Sequence, residues 1–393
     1  MVGDQFKIMK SILIAHIGDV HLRDTQYATA QRGLDFFEAF KRAVKAAKQA
    51  GADCIVCTGD NFDMARPSAK VIGQLMQVDG LLKQLGLLMF TITGNHDYSS
   101  PSWLSTLFPG ATQAHDSGVV PIDGESVEFK GFRITGIPPY TARTFAEKTS
   151  EIENLTRHSD VVLYHGFVTG IVPAYTGDKT VLDVKDLPVS SHNKAILLGD
   201  IHVQGFIKRD RPGGGDVLIG YPGSLEMCSK SESIKKTIPM IRVTKESATV
   251  ENYVPLEIRP FISKVVKTEE ELDALVDLAK AFANTHPVVL VEFDRSLPQT
   301  VARLHAVMDP QRCVIRCYPL PVEKGTTKRE ERPEGDPDLT VEHFVKARFA
   351  DSEANLAETA LRLLYAGDSN TANIVGDYVE QRLTSMGVRE CES

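Results

Sequence analysis

Five apolar stretches of the 393-residue chain end in residues that can hold a metal ion or move a proton. "IAHIGDVH" supplies Asp19 and His21, and "CIVCTGD" supplies Asp60. "FTITGNHD" supplies Asn95, His96 and Asp97, "VVLYHG" supplies His165, and "AILLGDIH" supplies Asp200 and His202. A lone Gly-Asp after an apolar run is what an ordinary turn needs, because both residues tolerate turn geometry. Turns call for Gly, Asp, Asn and Ser; they do not call for four histidines. Mixed carboxylate, amide and imidazole ligands suit divalent first-row ions such as manganese, iron or zinc. In a two-ion site one carboxylate bridges ions about 3.5–4 Å apart, and a hydroxide between them attacks phosphorus in line. A histidine beside a carboxylate, His96-Asp97, has the makings of the group that steadies the transition state or protonates the leaving oxygen.

These ends belong to an alternation of strands and helices. After "SILIAHIGD", the stretch "ATAQRGLDFFEAFKRAVKAAKQAG" has helical period, with Leu34, Phe37, Phe40, Val44 and Ala47 on one face and Gly51 as the stop. "DCIVCTGD", a second helix over 68–85 and "LLMFTITGNHD" complete a βαβαβ start, which predicts parallel strands and an α/β fold. In such sheets ligands bind beyond the carboxyl ends of the strands. "VEFKGFRITGIP" predicts a hairpin about Lys130-Gly131, and "IPMIRVT" with "ATVENYV" adds further β structure. A second unit begins near residue 251. There "PFISKVVKT", a helix opened by a Thr268–Glu271 capping box, "PVVLVEFD", a helix over 298–308 and "RCVIRCYPL" form a small α/β module. "EKGTTKREERPEGDPD" is charged and aperiodic and predicts a linker, after which short amphipathic helices follow.

The composition is that of a soluble globular protein, with 42% hydrophobic and 24% charged residues. No apolar run is long enough for a bilayer, and the first residues lack the pattern of a signal peptide, so a cytoplasmic protein is expected. Six cysteines agree with a reducing compartment; Cys54 and Cys57 lie in a strand pattern and predict packing, not a zinc site. Residues 331–393 hold thirteen acidic and six basic side chains, a balance of −7 out of the chain's −8. The body is therefore nearly neutral, which leaves room for a local basic groove. The basic runs Lys208, Arg209, Arg211 and Lys230, Lys235, Lys236 are candidates for phosphate contact, against the ordinary reading of a solvated charged face.

In order along the chain, "GDVH", "GDNFD", "GNHD", "YHGF" and "GDIH" resemble the calcineurin-like metallophosphoesterase signature. With "YPGSLE" after the last motif, they are similar to the SbcD nuclease and its break-repair and phage recombination relatives. The resemblance covers residues 11–226 and extends weakly beyond. It implies a β-sandwich flanked by helices over 1–245, a small α/β capping domain over 246–323, a linker over 324–337 and a helical partner-binding segment over 338–393. It implies that Asp19, His21 and His202 hold one divalent ion, that Asp60 bridges, and that Asn95, His165 and Asp200 hold the other. Manganese is the expected metal, with magnesium as a second choice. His96 would be the catalytic histidine, oriented by Asp97. The family has Gly-His-x-His at the last motif where this chain has Gly-Asp-x-His, so Asp200 stands in a histidine's place.

The resemblance further implies a DNA nuclease, a 3′→5′ exonuclease on duplex ends and an endonuclease on single strands or hairpins. DNA and an SbcC-like coiled-coil ABC ATPase are the implied partners, in a heterotetramer built on a nuclease homodimer and away from any membrane. ATP use would belong to the partner, because this chain has no GxxxxGK[ST] motif. Two other readings stay open at this level: a phosphatase or nucleotide phosphodiesterase of the same fold, and a scaffold that has lost catalysis.

Overall fold

The computed structural model describes residues 10–109, 117–172 and 182–320. The linker and the helices expected after residue 323 lie outside the described residues, and the described residues all belong to one unit.

The chain opens with β1 (Ser11–Ile17), α1 (Ala30–Gln49), β2 (Cys54–Cys57), α2 (Ala69–Leu85), β3 (Met89–Thr91), α3 (Trp103–Leu107) and β4 (Val119–Pro121). β1 to β4 run parallel to one another, as the βαβαβ pattern requires. The predicted hairpin is β5 (Ser126–Phe129) and β6 (Phe132–Gly136), antiparallel through Phe129 and Phe132. Then come α4 (Ala142–Glu147), α5 (Thr149–Thr156), β7 (Val161–His165), the short pair β8 (Val168–Thr169) and β9 (Leu182–Asp183), and β10 (Ala195–Gly199). β11 (Gly205–Asp210), β12 (Asp216–Tyr221), β13 (Lys236–Thr244) and β14 (Ala248–Leu256) follow. Two six-stranded sheets result, in the orders β14-β13-β1-β2-β3-β4 and β11-β12-β10-β7-β6-β5.

Strand alternation divides the core. On β7, Val161 and Leu163 join the larger apolar cluster shared with the first sheet, while Val162 and Tyr164 join a second cluster with Phe145 and Ile152 of α4 and α5. On β10, Ala195 and Leu197 face the first cluster and Ile196 and Leu198 the second. The first sheet is covered by α1 and α2 through Phe37, Phe40, Val44, Leu75, Val78 and Leu82. Leu34, expected on the buried face of α1, is instead 40% exposed. At 100° per residue it lies about 150° round the helix from a face centred on Phe36, Phe40 and Ala43, close to the opposite side.

The module after residue 256 is β15 (Phe261–Val266), α6 (Glu269–Phe282), β16 (Val288–Phe293), α7 (Thr300–Val307) and β17 (Val314–Pro319), with all three strands parallel. Thr268 and Glu271 make the reciprocal capping box at the start of α6. One face of this sheet packs on its own helices; the other, with Phe261, Val288, Leu290 and Val314, meets Met227 and Tyr27 of the body.

Candidate metal centre

The carboxyl ends of β1, β2, β3, β7 and β10 meet where the two sheets touch. Thr58, just past β2, ties them: its hydroxyl donates to Leu198 O of β10 at 2.9 Å, and its carbonyl accepts from His165 Nδ1 of β7 at 2.7 Å. A side chain at Gly199 would place its Cβ 2.0 Å from Thr58 O, so only glycine lets the strands come this close just before Asp200. The Asp200 N–H then donates to Asp19 Oδ1 at 3.0 Å.

Four of the candidate ligands have left-handed backbone: Asp19, His21 and Asp60 at φ 50° and Asp200 at φ 100°. Non-glycine residues avoid this region, and each such residue costs about 1–3 kcal/mol. The cost is concentrated at the ends of the strands that carry metal-binding side chains.

Among the described residues three groups bring at least three metal-binding atoms within 4.8 Å of one another: Asp19–Asp60–His165, His21–Asp60–His96 and His21–His202–Cys228. Asp60 belongs to two of them. His21 Nε2 and His202 Nε2 face each other at 3.1 Å, a spacing that needs a shared proton or a shared cation. His21 Nε2 is 3.6 Å from Asp60 Oδ2. On the other side, His165 Nε2 lies 2.7 Å from Asn95 Oδ1, 3.5 Å from Asp60 Oδ2 and 3.9 Å from Asp200 Oδ1. Because His165 Nδ1 donates to Thr58 O, its Nε2 lone pair points into this group. The carboxylate Oδ2 of Asp19 is buried with no hydrogen-bond partner. A buried, unpaired carboxylate oxygen among further carboxylates and imidazoles calls for a cation, and the oxygen and nitrogen donors fit divalent ions.

The electrostatics point the same way. Burial, with Asp60 nearby, pushes the Asp97 carboxyl up to about 6 against the pull of the Gly94 and Asn61 N–H groups. Burial also raises Asp200. Burial works to lower His165, yet Asp60, Asp19 and Asp200 leave it raised. Three carboxylates, Asp19, Asp60 and Asp200, thus act on the one buried imidazole of His165.

His96 is exposed, with its Nδ1 3.1 Å from the carbonyl of Asp63 and its ring 4.8 Å from that of His21, perpendicular to it. Asp97, placed by sequence as the group that orients His96, is buried and has other partners. Its Oδ1 accepts from Gly94 N at 2.6 Å and its Oδ2 from Asn61 N at 2.7 Å, so it fixes the backbone that carries Asn95 and His96. The Asp63 carboxylate is 3.3 Å from His21 Nδ1 and 2.6 Å from Arg23.

Two neighbours left no signal in the sequence. Glu232 accepts from His202 Nδ1 at 2.9 Å and is itself held by Ser224, Lys236 and the Cys228 and Ser229 N–H groups. Burial works to raise Glu232, but His202 and Lys236 pull it down to about 2. Cys228 lies beside His202 and His21, although the motif ends themselves contain no thiol. Of the basic runs, Lys236 is spent on Glu232, Arg211 on backbone carbonyls of Asn193 and Gly214, and Lys208 on Asp216. Arg209 binds the carbonyls of Val184 and Leu187, and Lys230 pairs with Glu292.

Residues 12–219 match the family model for calcineurin-like phosphoesterases. The chain is 29% identical over 265 residues to the DNA double-strand break repair protein Mre11 of Methanosarcina mazei, covering 67% of this chain and 41% of that protein. It is 25% identical to the Mre11 of Haloferax volcanii, covering 94% of this chain and 82% of that one. With the Mre11 of Saccharolobus solfataricus it shares 24% identity over 88% of this chain and 93% of that one. The match with the Methanosarcina protein thus spans about two-fifths of its length.

Proposed function

This chain belongs to the calcineurin-like phosphoesterase family, and from that premise we propose that it is a metal-dependent DNA nuclease of the break-repair branch. Members of this family work with divalent metal ions. We assign Asp19, His21 and His202 to one ion, Asn95, His165 and Asp200 to the other, and Asp60 to both, with manganese ahead of magnesium. The observation that carries the reading is Asp60 shared between two compact ligand groups beside the buried, unpaired oxygen of Asp19.

The ions would supply the acidity that makes water a nucleophile at neutral pH and would balance charge on the phosphoryl oxygens. The chain's own residues do the rest. Asp97 holds the turn over 94–97 rigid. The Asp63 carbonyl fixes the exposed His96 ring by its Nδ1–H and leaves Nε2 free for substrate. From there the protonated ring donates to the departing sugar oxygen of a phosphodiester. Glu232 keeps His202 in the tautomer whose Nε2 faces His21.

On this reading 1–245 is the nuclease domain, 246–323 caps the DNA, 324–337 is a linker and 338–393 docks a coiled-coil ATPase in the cytoplasm, in an assembly built on a nuclease dimer. Among the described residues no helix is long and apolar enough to cross a membrane. One panel tests the proposal: full chain with end-labelled duplex or circular single-stranded DNA, in Mn²⁺, Mg²⁺, Zn²⁺ or chelator, and a His96→Ala control. Manganese-dependent cleavage lost in the variant is expected. Cleavage that survives chelation, or hydrolysis confined to phosphomonoesters, overturns it. Truncation at residue 337 is expected to abolish co-purification with the ATPase and leave cleavage of short DNA.

A further inference from the structure

A surface pocket of about 490 Å³, within the range of about 300–1,000 Å³ typical of small-molecule sites, is lined by the chain just after Asp63 and just after Asp97. Its walls are two segments that leave the site directly. Ala65 and Arg66 follow Asp63, whose carbonyl holds the His96 ring. Tyr98, Ser99, Trp103 and Thr106 follow Asp97. The walls are tied together, because Trp103 Nε1 donates to Ala65 O at 2.9 Å. That bond satisfies the one polar atom of the indole, so what Trp103 offers the pocket is carbon surface.

Two other lining residues are free. Tyr98 is 56% exposed, and Arg66 is exposed as well. Neither has a hydrogen bond, ion pair or ring contact among the described residues. Both side chains line the same pocket as Trp103 and are open to solvent. Two aromatic rings and a guanidinium are what a single unstacked nucleotide needs: a flat apolar surface for the base and a cation for its phosphate.

We propose that this pocket receives the nucleotide next to the scissile phosphate, pulled out of the base stack, with its base against Tyr98 and Trp103 and its phosphate on Arg66. The proposal rests on the nuclease reading and names the form of DNA that reaches the site. Cleavage would require one nucleotide that can leave the stack, which is easiest at ends, in hairpin loops and in single strands.

Trp103 is the only tryptophan in the chain, so its fluorescence reports on this pocket alone. The full chain is titrated, in chelator, with the trinucleotide d(ApApA) and with a trimer of the same backbone that carries no bases. The base-bearing trimer is expected to quench Trp103 and the abasic trimer to leave it unchanged. Tyr98→Ala should weaken binding about tenfold, within the range of base–aromatic stacking, and Tyr98→Phe should restore it. Arg66→Ala should weaken binding with a smaller salt dependence than the unaltered chain. Equal quenching by both trimers, or unaltered affinity in Tyr98→Ala, overturns the pocket. The two proposals fail separately. Manganese-dependent cleavage of abasic and base-bearing strands at equal rates leaves the nuclease and removes the pocket. Quenching by d(ApApA) alone, without metal-dependent cleavage, leaves the pocket and removes the nuclease.

Discussion

His202 turns its Nδ1 to the Glu232 carboxylate at 2.9 Å, and so turns its Nε2 to His21. The carboxylate cannot follow if the ring moves, because Ser224, Lys236 and two backbone N–H groups hold it. A ligand histidine fixed in this way loses about 10–100-fold in metal affinity when the second partner is removed. Glu232→Gln, which keeps an oxygen for Lys236, is expected to weaken one of the two ions by that factor in calorimetric titration. Unchanged affinity at both would mean that the pair serves only the loop.

Asp200 sits at φ 100°, a conformation that glycine adopts without strain. Asp200→Gly is therefore expected to make the metal-free protein more stable, by about 1 kcal/mol, while it binds one ion fewer. Asp200→His should bind two. Chemical denaturation in chelator and metal analysis of the purified protein check both halves. Two ions retained in the glycine variant would remove Asp200 from the ligand set.

His96→Ala is expected to lower turnover by about 10²–10⁴ and to leave the metal content at two. Loss of an ion in this variant would place His96 among the ligands, where its nearness to His21 and Asp60 would allow it.

Removing metal should destabilise the whole unit. Asp19 and Asp60 are buried together, and a bound cation is what relieves them. At a hundred times its dissociation constant each ion adds about 2.7 kcal/mol to stability. Thermal melting in chelator and in Mn²⁺ should differ accordingly; coincident melts would sink the idea that these carboxylates share a cation.

Arg32 is fully buried and binds Asp35, Glu226 and the carbonyl of Met227, while Arg259 from the start of the small α/β module grips both oxygens of Asp35. Arg32→Met alone strands the buried Glu226 carboxylate, because Asp35 keeps Arg259, and is expected to cost about 3–5 kcal/mol. A cost under about 1 kcal/mol in denaturant titration would show that Glu226 does not depend on Arg32.

What the sequence determined by itself was local. Strand ends such as Gly18-Asp19-x-His21 and Gly199-Asp200-x-His202 are read off neighbouring residues, and so are the hairpin at Lys130-Gly131 and the Thr268–Glu271 cap. Period-two and period-3.6 patterns carry that information within a dozen residues. Which ends share a site was legible only because open α/β sheets bind ligands at one edge. The tertiary structure decided the rest. It joined Asp200 N–H to Asp19 across 181 residues and put Glu232 behind His202 from a segment without periodicity. It gave Asp97 to the Gly94 and Asn61 backbone and left the His96 ring to the Asp63 carbonyl. These partners depend on where two sheets touch and how loops close over the seam. Close packing of distant segments sets both, and no spacing along the chain records it.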